Sequence, residues 1–86
     1  MLISEWKENF KGSGVWSATN CITEGPDVPK IVEGNNGCIV FGLCGETLNC
    51  GEAFETFEGA ARFLESIFVW TVFLNGHALT LSGDNV

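Results

Sequence analysis

The chain has 86 residues, 45% of them apolar, with three Trp and seven Phe and only 17% charged; intrinsic disorder, which needs low hydrophobicity and high charge, is excluded. Eleven acids against four bases give a net charge of −7, a balance that repels phosphate and argues against direct binding to nucleic acid. A single domain over residues 1–86 is expected at this length, and it buries only about 60–65% of its unfolded surface, so its core must be efficient.

Residues 4–11 read as a short helix. Ser4 suits the N-cap, Glu5 the first turn, Lys11 the last and Gly12 the position beyond. Ile3, Trp6 and Phe10 recur at spacings of three and four, giving one apolar stripe. Two turns of helix are unstable alone, so the stripe must dock on a sheet. Residues 14–22 have strand character, which the segment Glu24-Gly25-Pro26-Asp27-Val28-Pro29 ends, because proline cannot donate to a central ladder. Residues 30–33 and 38–43 flank Gly34-Asn35-Asn36-Gly37, a hairpin signal. Gly45 turns the chain into residues 46–54, which fit either a strand or the start of a helix.

The main helix is expected over residues 56–68. Phe57, Ala60, Ala61, Leu64 and Phe68 share a face, Thr56 suits the N-cap, and Glu58 lies near the positive dipole end. Residues 69–74 and 77–81 flank Asn75-Gly76, the signature of a hairpin with a type I′ turn, and residues 82–86 read as a fraying tail. The expected architecture is α+β: a small antiparallel sheet of about five strands, the helix 56–68 on one face, and the helix 4–11 at an edge or end.

Chemical sites are hard to build from this chain. Cys38, Cys44 and Cys50 fall at even spacing, with Cys21 upstream. On one strand Cys38 and Cys44 would lie about 20 Å apart, too far for one zinc with bonds near 2.3 Å or for a disulfide needing Cα atoms within about 7 Å. Cys44 with Cys50, and Cys21 with Cys38, are the pairs that a turn or neighbouring strands bring closer. No Cys-x-x-Cys pair occurs, so no metal ligand and no cofactor is assigned, and the cysteines are read as small apolar residues of a strand ending at Gly45. His77 is the single histidine, at a hairpin tip, without a nucleophile and an orienting group around it. No catalytic residue is assigned, and a non-enzymatic role is expected.

The N-terminal MLISEWKENFKG carries acids where a leader needs an apolar run. The apolar run over residues 67–74 is broken by Thr71 and falls short of the roughly 20 residues of a membrane span. A cytoplasmic location with reduced thiols, and no membrane contact, is expected.

What remains is surface character. Residues 31–61 contain Glu33, Glu46, Glu52, Glu55 and Glu58 and no base. Glu46, Glu52, Glu55 and Glu58, with Trp70 among the aromatic anchors, are therefore the expected contacts for a protein partner with a basic surface. Residues 69–74 are apolar on both faces, which calls for cover on both sides or for an interaction patch, with a homodimer as one outcome. In size, acidity and single-domain α+β organisation the chain is similar to the small acidic inhibitors that phages and mobile elements encode against bacterial defence systems, of anti-CRISPR or anti-restriction type. That resemblance implies an inhibitor or adaptor and transfers no site residue. The alternatives are a small ligand-binding protein or enzyme with a pocket between helix and sheet, and a structural homo-oligomer subunit.

Overall fold

The computed structural model describes residues 2–22 and 28–82. Strand β1 (Trp6–Glu8) pairs antiparallel with β2 (Val15–Ala18), matching Trp6 with Ala18 and Glu8 with Trp16. The helix expected over residues 4–11 is thus a strand and a turn. An isolated pair of helical turns has too few hydrogen bonds to offset nucleation, whereas the ladder to β2 satisfies the same backbone groups. The Glu8 carboxylate also closes the connecting loop, accepting from the amides of Gly12 at 3.2 Å and Gly14 at 3.0 Å. Phe10 points outward, 77% exposed, so the stripe of Ile3, Trp6 and Phe10 does not exist.

The expected strand over residues 14–22 is broken at a corner. After β2 the chain bends at Thr19 and Asn20, and the short β3 (Cys21–Ile22) joins a different sheet. The Asn20 side chain holds this corner. Its Oδ1 accepts from the Glu5 amide at 2.7 Å, while its Nδ2 donates to the carbonyls of Ile3 at 2.7 Å and Thr71 at 2.9 Å. The backbone adds a bond from the Thr71 amide to the Asn20 carbonyl, 2.9 Å. The proline-bearing end expected for this strand lies largely outside the described residues; Pro29 itself is buried and its carbonyl accepts from the Ala18 amide.

Strands β4 (Lys30–Gly34) and β5 (Gly37–Phe41) form the expected hairpin and complete a four-stranded sheet in the order β1-β2-β4-β5. The left-handed residue of the turn is Gly37, at φ 117, rather than either asparagine. A Cβ there would collide with the Phe54 carbonyl oxygen, so a side chain is excluded by contact as well as by φ. The edge of β5 is sealed by the segment that follows it. Bridges pair Phe41 with Thr47 and Cys38 with Phe54, and the Leu48 amide donates to Val40. Between them the chain makes a left-handed turn through Asn49, Cys50 and Gly51, at φ 55, 56 and 76. Residues 46–54 are thus an irregular edge cover and not part of the helix.

Helix α1 (Phe57–Glu65) begins at Thr56, whose hydroxyl accepts from the Gly59 amide at 3.0 Å. It ends three residues before the expected position 68, where the Ser66 hydroxyl takes the Phe63 carbonyl. Ala60, Ala61 and Leu64 are fully buried against Ile31, Val40 and Cys38 of the sheet. Two alanines let the helix approach closely, and aromatic rings fill the margins. Phe57 meets Trp6 and Trp16 edge-on, with centroids 6.0 and 5.2 Å apart.

Strands β6 (Val69–Leu74) and β7 (His77–Ser82) form the second expected hairpin, with Asn75 at φ 53 and Gly76 at φ 82 as a type I′ turn requires. With β3 they make a second sheet in the order β3-β6-β7. The molecule is therefore a small α+β fold with two antiparallel sheets and one helix, in place of one sheet of about five strands and two helices. The division follows from the corner at Asn20, which hands one strand path from the first sheet to the second. Residues 83–86, most of the expected tail, lie outside the described residues, and Ser82 ends β7. Among the described residues no helix is long and apolar enough to cross a membrane.

Candidate functional site

The carboxylates divide into those that serve the fold and those that face solvent. Glu65 accepts from the amides of Ile3 and Ser4, at 2.7 and 3.4 Å, and so ties the N-terminal segment to the end of α1. Glu33 accepts from the Trp16 indole, and Glu8 closes the β1–β2 loop. Glu46, one of the expected partner contacts, bends back over its own turn and accepts from the Cys44 amide at 2.9 Å. Its carboxyl carbon lies 2.7 Å from where a Cβ on Gly42 would sit, so a side chain at that position would displace the carboxylate.

Glu52, Glu55 and Glu58 stand exposed around the entrance to α1. Glu58 pairs with Arg62 one turn later, Nε to Oε1 3.1 Å, an exposed contact worth about 0.3–0.5 kcal/mol. Among the described residues Glu52 and Glu55 have no side-chain bond. Glu46 belongs to the opposite end of β5, beside the Phe41–Thr47 bridge, whereas residue 54 bridges to Cys38 at its start. The four acids thus do not form one ridge. Three gather at the helix entrance and the fourth serves a turn.

The three lysines lie elsewhere. Trp6, Trp16, Ala18, Ile31 and Val40 define the face of the larger sheet that α1 covers. Lys7, paired with Ser17, and Lys30, also paired with Ser17, alternate onto the opposite face. Lys11 sits in the β1–β2 loop. The lysines are therefore set apart from the three acids at the helix entrance, where Arg62 is the one base.

Trp70 is fully buried, its ring 5.9 Å from that of Trp6, and so is part of the core and not a surface anchor. The exposed aromatic of the same strand is Phe73, at 75%. It alternates onto the other face, where nothing covers it among the described residues. Leu74 at the hairpin end and Leu79 and Leu81 on β7 are exposed as well. The run of apolar residues on both faces of residues 69–74 carries this signal, but periodicity alone does not say which residue of the strand meets the core.

A shallow concavity of about 300 Å³ lies at the corner between the sheets, lined by Glu5, Thr19, Asn20, Cys21, Thr71 and Phe73 among others. The Thr71 hydroxyl beneath it is buried without a hydrogen-bond partner. At the interface between helix and sheet, Ala60, Ala61 and Leu64 are fully buried.

All four cysteines are free thiols. Cys38 is buried as a small apolar residue, as its strand position implies, and Cys21 is half-buried, but Cys44 and Cys50 are exposed. The strand stops at Phe41, so neither of the latter reaches the core. Burial pushes the Cys21 thiol from 9.0 up to about 11. Burial, and then the negative charge of Glu33, raise that of Cys38. At pH 8 only about a thousandth of Cys21 is thiolate. Alkylation at that pH is therefore expected in two phases, the exposed Cys44 and Cys50 first and the more buried Cys21 and Cys38 later, as peptide mass mapping over time would report. Because the folded thiol of Cys21 holds its proton more tightly than the unfolded one, its contribution to stability is present below pH 9 and lost as pH rises towards about 11. Thermal melts should show a smaller loss over this range for Cys21→Ala than for the wild type.

No group of three or more His, Cys, Asp or Glu side chains able to hold a metal ion occurs among the described residues. The chain matches no protein-family model, no curated protein and no solved structure, so its function rests on its own surface.

Proposed function

We propose that the protein is a small non-enzymatic binding module, an inhibitor or adaptor of the kind mobile elements direct against bacterial defence systems, that engages a partner protein through a basic surface. The observation that carries this reading is the segregation of charge. Glu52, Glu55 and Glu58 are exposed together at the entrance to α1, with Arg62 the one base after Lys30 in the sequence. The positive end of the helix dipole tolerates them there, so their placement costs the fold little. Complementary charge raises the rate of encounter and fixes orientation. Glu46 contributes its charge from the other end of β5, and the anchoring aromatic is Phe73 in place of the buried Trp70.

The test is capture from a lysate of the source cells by wild-type protein and by the triple variant E52K/E55K/E58K, quantified across a salt series. The variant is expected to stay folded, with a melting point slightly lowered by loss of the Glu58–Arg62 pair and by bases at the positive end of the helix, and to lose capture by at least about tenfold, with wild-type capture weakening as salt rises. Equal capture by both would overturn the reading.

A ligand-binding role finds its support in the corner concavity and the unpartnered Thr71 hydroxyl beneath it. Its volume is at the lower end of the roughly 300–1,000 Å³ typical of small-molecule sites, and native mass spectrometry of protein from its source would reveal a retained ligand.

A further inference from the structure

The second sheet ends, among the described residues, in an unpaired edge. Among the described residues β7 is bonded to β6 alone, as the last strand in the order β3-β6-β7. The two-residue turn makes Leu74 and His77 the closing bonded pair, so His77, Leu79 and Leu81 direct their amides and carbonyls towards β6. The backbone groups of Ala78, Thr80 and Ser82 then point away, into solvent. Strand β3 provides an independent check on this phase. The Thr71 amide donates to Asn20, away from β7, so Thr71 and its opposite number Thr80 form a non-bonded pair.

Exposed edges normally carry a lysine, a proline or a bulge that blocks pairing with another chain. Residues 69–82 contain no Asp, Glu, Lys, Arg or Pro. In a chain of net charge −7, this hairpin is where two copies meet with the least electrostatic repulsion. Leu79 and Leu81 on the strand itself remain 41% and 37% exposed.

We infer that two copies of this chain pair through β7 across a two-fold axis, merging their second sheets into one continuous antiparallel sheet. The register is self-complementary. With Thr80 opposite Thr80 of the second copy as a bonded pair, Ala78 falls opposite Ser82 of the second copy, and every outward backbone group of these residues gains a partner. The same register sets Leu79 opposite Leu81 of the second copy in a non-bonded pair, where side chains approach most closely. Both leucines lie on the face that also bears Leu74, so the apolar surface of the two hairpins becomes continuous. Isologous pairing of this kind closes at the dimer and leaves no free β7 edge to propagate. An interface of one strand edge and two leucine pairs falls below the standard size of about 800 Å² per partner, so association is of the weak, reversible class.

The experiment is sedimentation velocity combined with amide hydrogen exchange on the full chain, between about 10 µM and about 1 mM, the range over which weak dimers form. The dimer should grow in with concentration, and exchange at Ala78, Thr80 and Ser82 should slow by at least about fivefold while His77, Leu79 and Leu81, already bonded to β6, change little. Thr80→Lys, which keeps every backbone group but sets like charges opposite each other, and Thr80→Pro, which removes one outward donor on an edge where proline is tolerated, should both remain monomeric. A monomer at the highest concentration, a dimer in which the outward amides exchange as in the monomer, or a Thr80→Lys protein that folds and dimerises like the wild type would each overturn the inference. The E52K/E55K/E58K variant should dimerise normally, so that failure of this interface and failure of the proposed function remain distinguishable.

Discussion

Replacing Trp70 by alanine is expected to lower the free energy of unfolding by about 3–5 kcal/mol, the range for deleting a large buried aromatic. Trp70 is the largest of the fully buried side chains, and it packs against Trp6 and the core that α1 and the first sheet form together. Among the described residues no other side chain of β6 or β7 is buried, so this ring is the hairpin's one buried side-chain anchor in the body, beside the backbone pairing with β3 and the bonds of Asn20 to Thr71. Domains of this size have about 5–15 kcal/mol in total, and the alanine variant therefore sits near the limit of folding. Trp70→Phe is expected to cost much less, about 1–2 kcal/mol. It keeps an aromatic in place and removes an indole N–H that is buried without a partner, so part of the lost packing is offset by relief of an unsatisfied donor. Urea unfolding of both variants measures the difference. Equal losses for Phe and Ala would show that indole volume, and not ring contact with Trp6, carries the energy.

The second large effect is expected at Asn20. Asn20→Leu, close in volume, leaves the Glu5 amide and the carbonyls of Ile3 and Thr71 without their side-chain partner. With each unsatisfied buried group costing about 1–3 kcal/mol and solvent reaching some of them, a loss of about 2–4 kcal/mol is expected. The orientation of the amide is fixed by these contacts, because an N–H must face oxygen and two carbonyls must face nitrogen. Asn20→Asp therefore retains the bond to the Glu5 amide but sets a carboxylate against two carbonyl oxygens, and it is expected to be no more stable than the leucine variant at neutral pH. Acidification should rescue Asp and not Leu, since a protonated carboxyl regains a donor. Denaturation midpoints at pH 3 and pH 7, on either side of the ordinary carboxyl value near about 4, decide this. A leucine variant of wild-type stability would remove Asn20 from its place as the corner of the fold.

The local chemistry of short segments is legible in the order of residues. Thr56 followed by the spacing of Phe57, Ala60, Ala61 and Leu64 marks α1, and Asn75-Gly76 and residues 34–37 mark the two hairpins. These signals act within a few residues, through a cap, a face or a left-handed φ, so sequence order suffices. The same reasoning points to a helix over residues 4–11, because a serine, two acids and three apolar residues fit its template. The partner that makes β1 a strand, β2, becomes visible only when the chain has turned back. Among the surface acids, Glu52, Glu55 and Glu58 stand together in space because they are neighbours in sequence. The same proximity along the chain groups Glu46 with them in the sequence reading, but it lies at the other end of β5 with its carboxylate engaged by the Cys44 amide.

The sequence by itself determined the α+β class, the main helix and both hairpin turns, and the excess of acid over base, since each depends on composition or on contacts between near neighbours. Only the tertiary structure decided that the strands divide into two sheets at Asn20, a side chain bonded to a carbonyl 51 residues away. It also decided that Trp70 is buried while Phe73, three residues later, is exposed. Alternation along a strand separates two faces, but which face meets a core depends on where the rest of the chain lies.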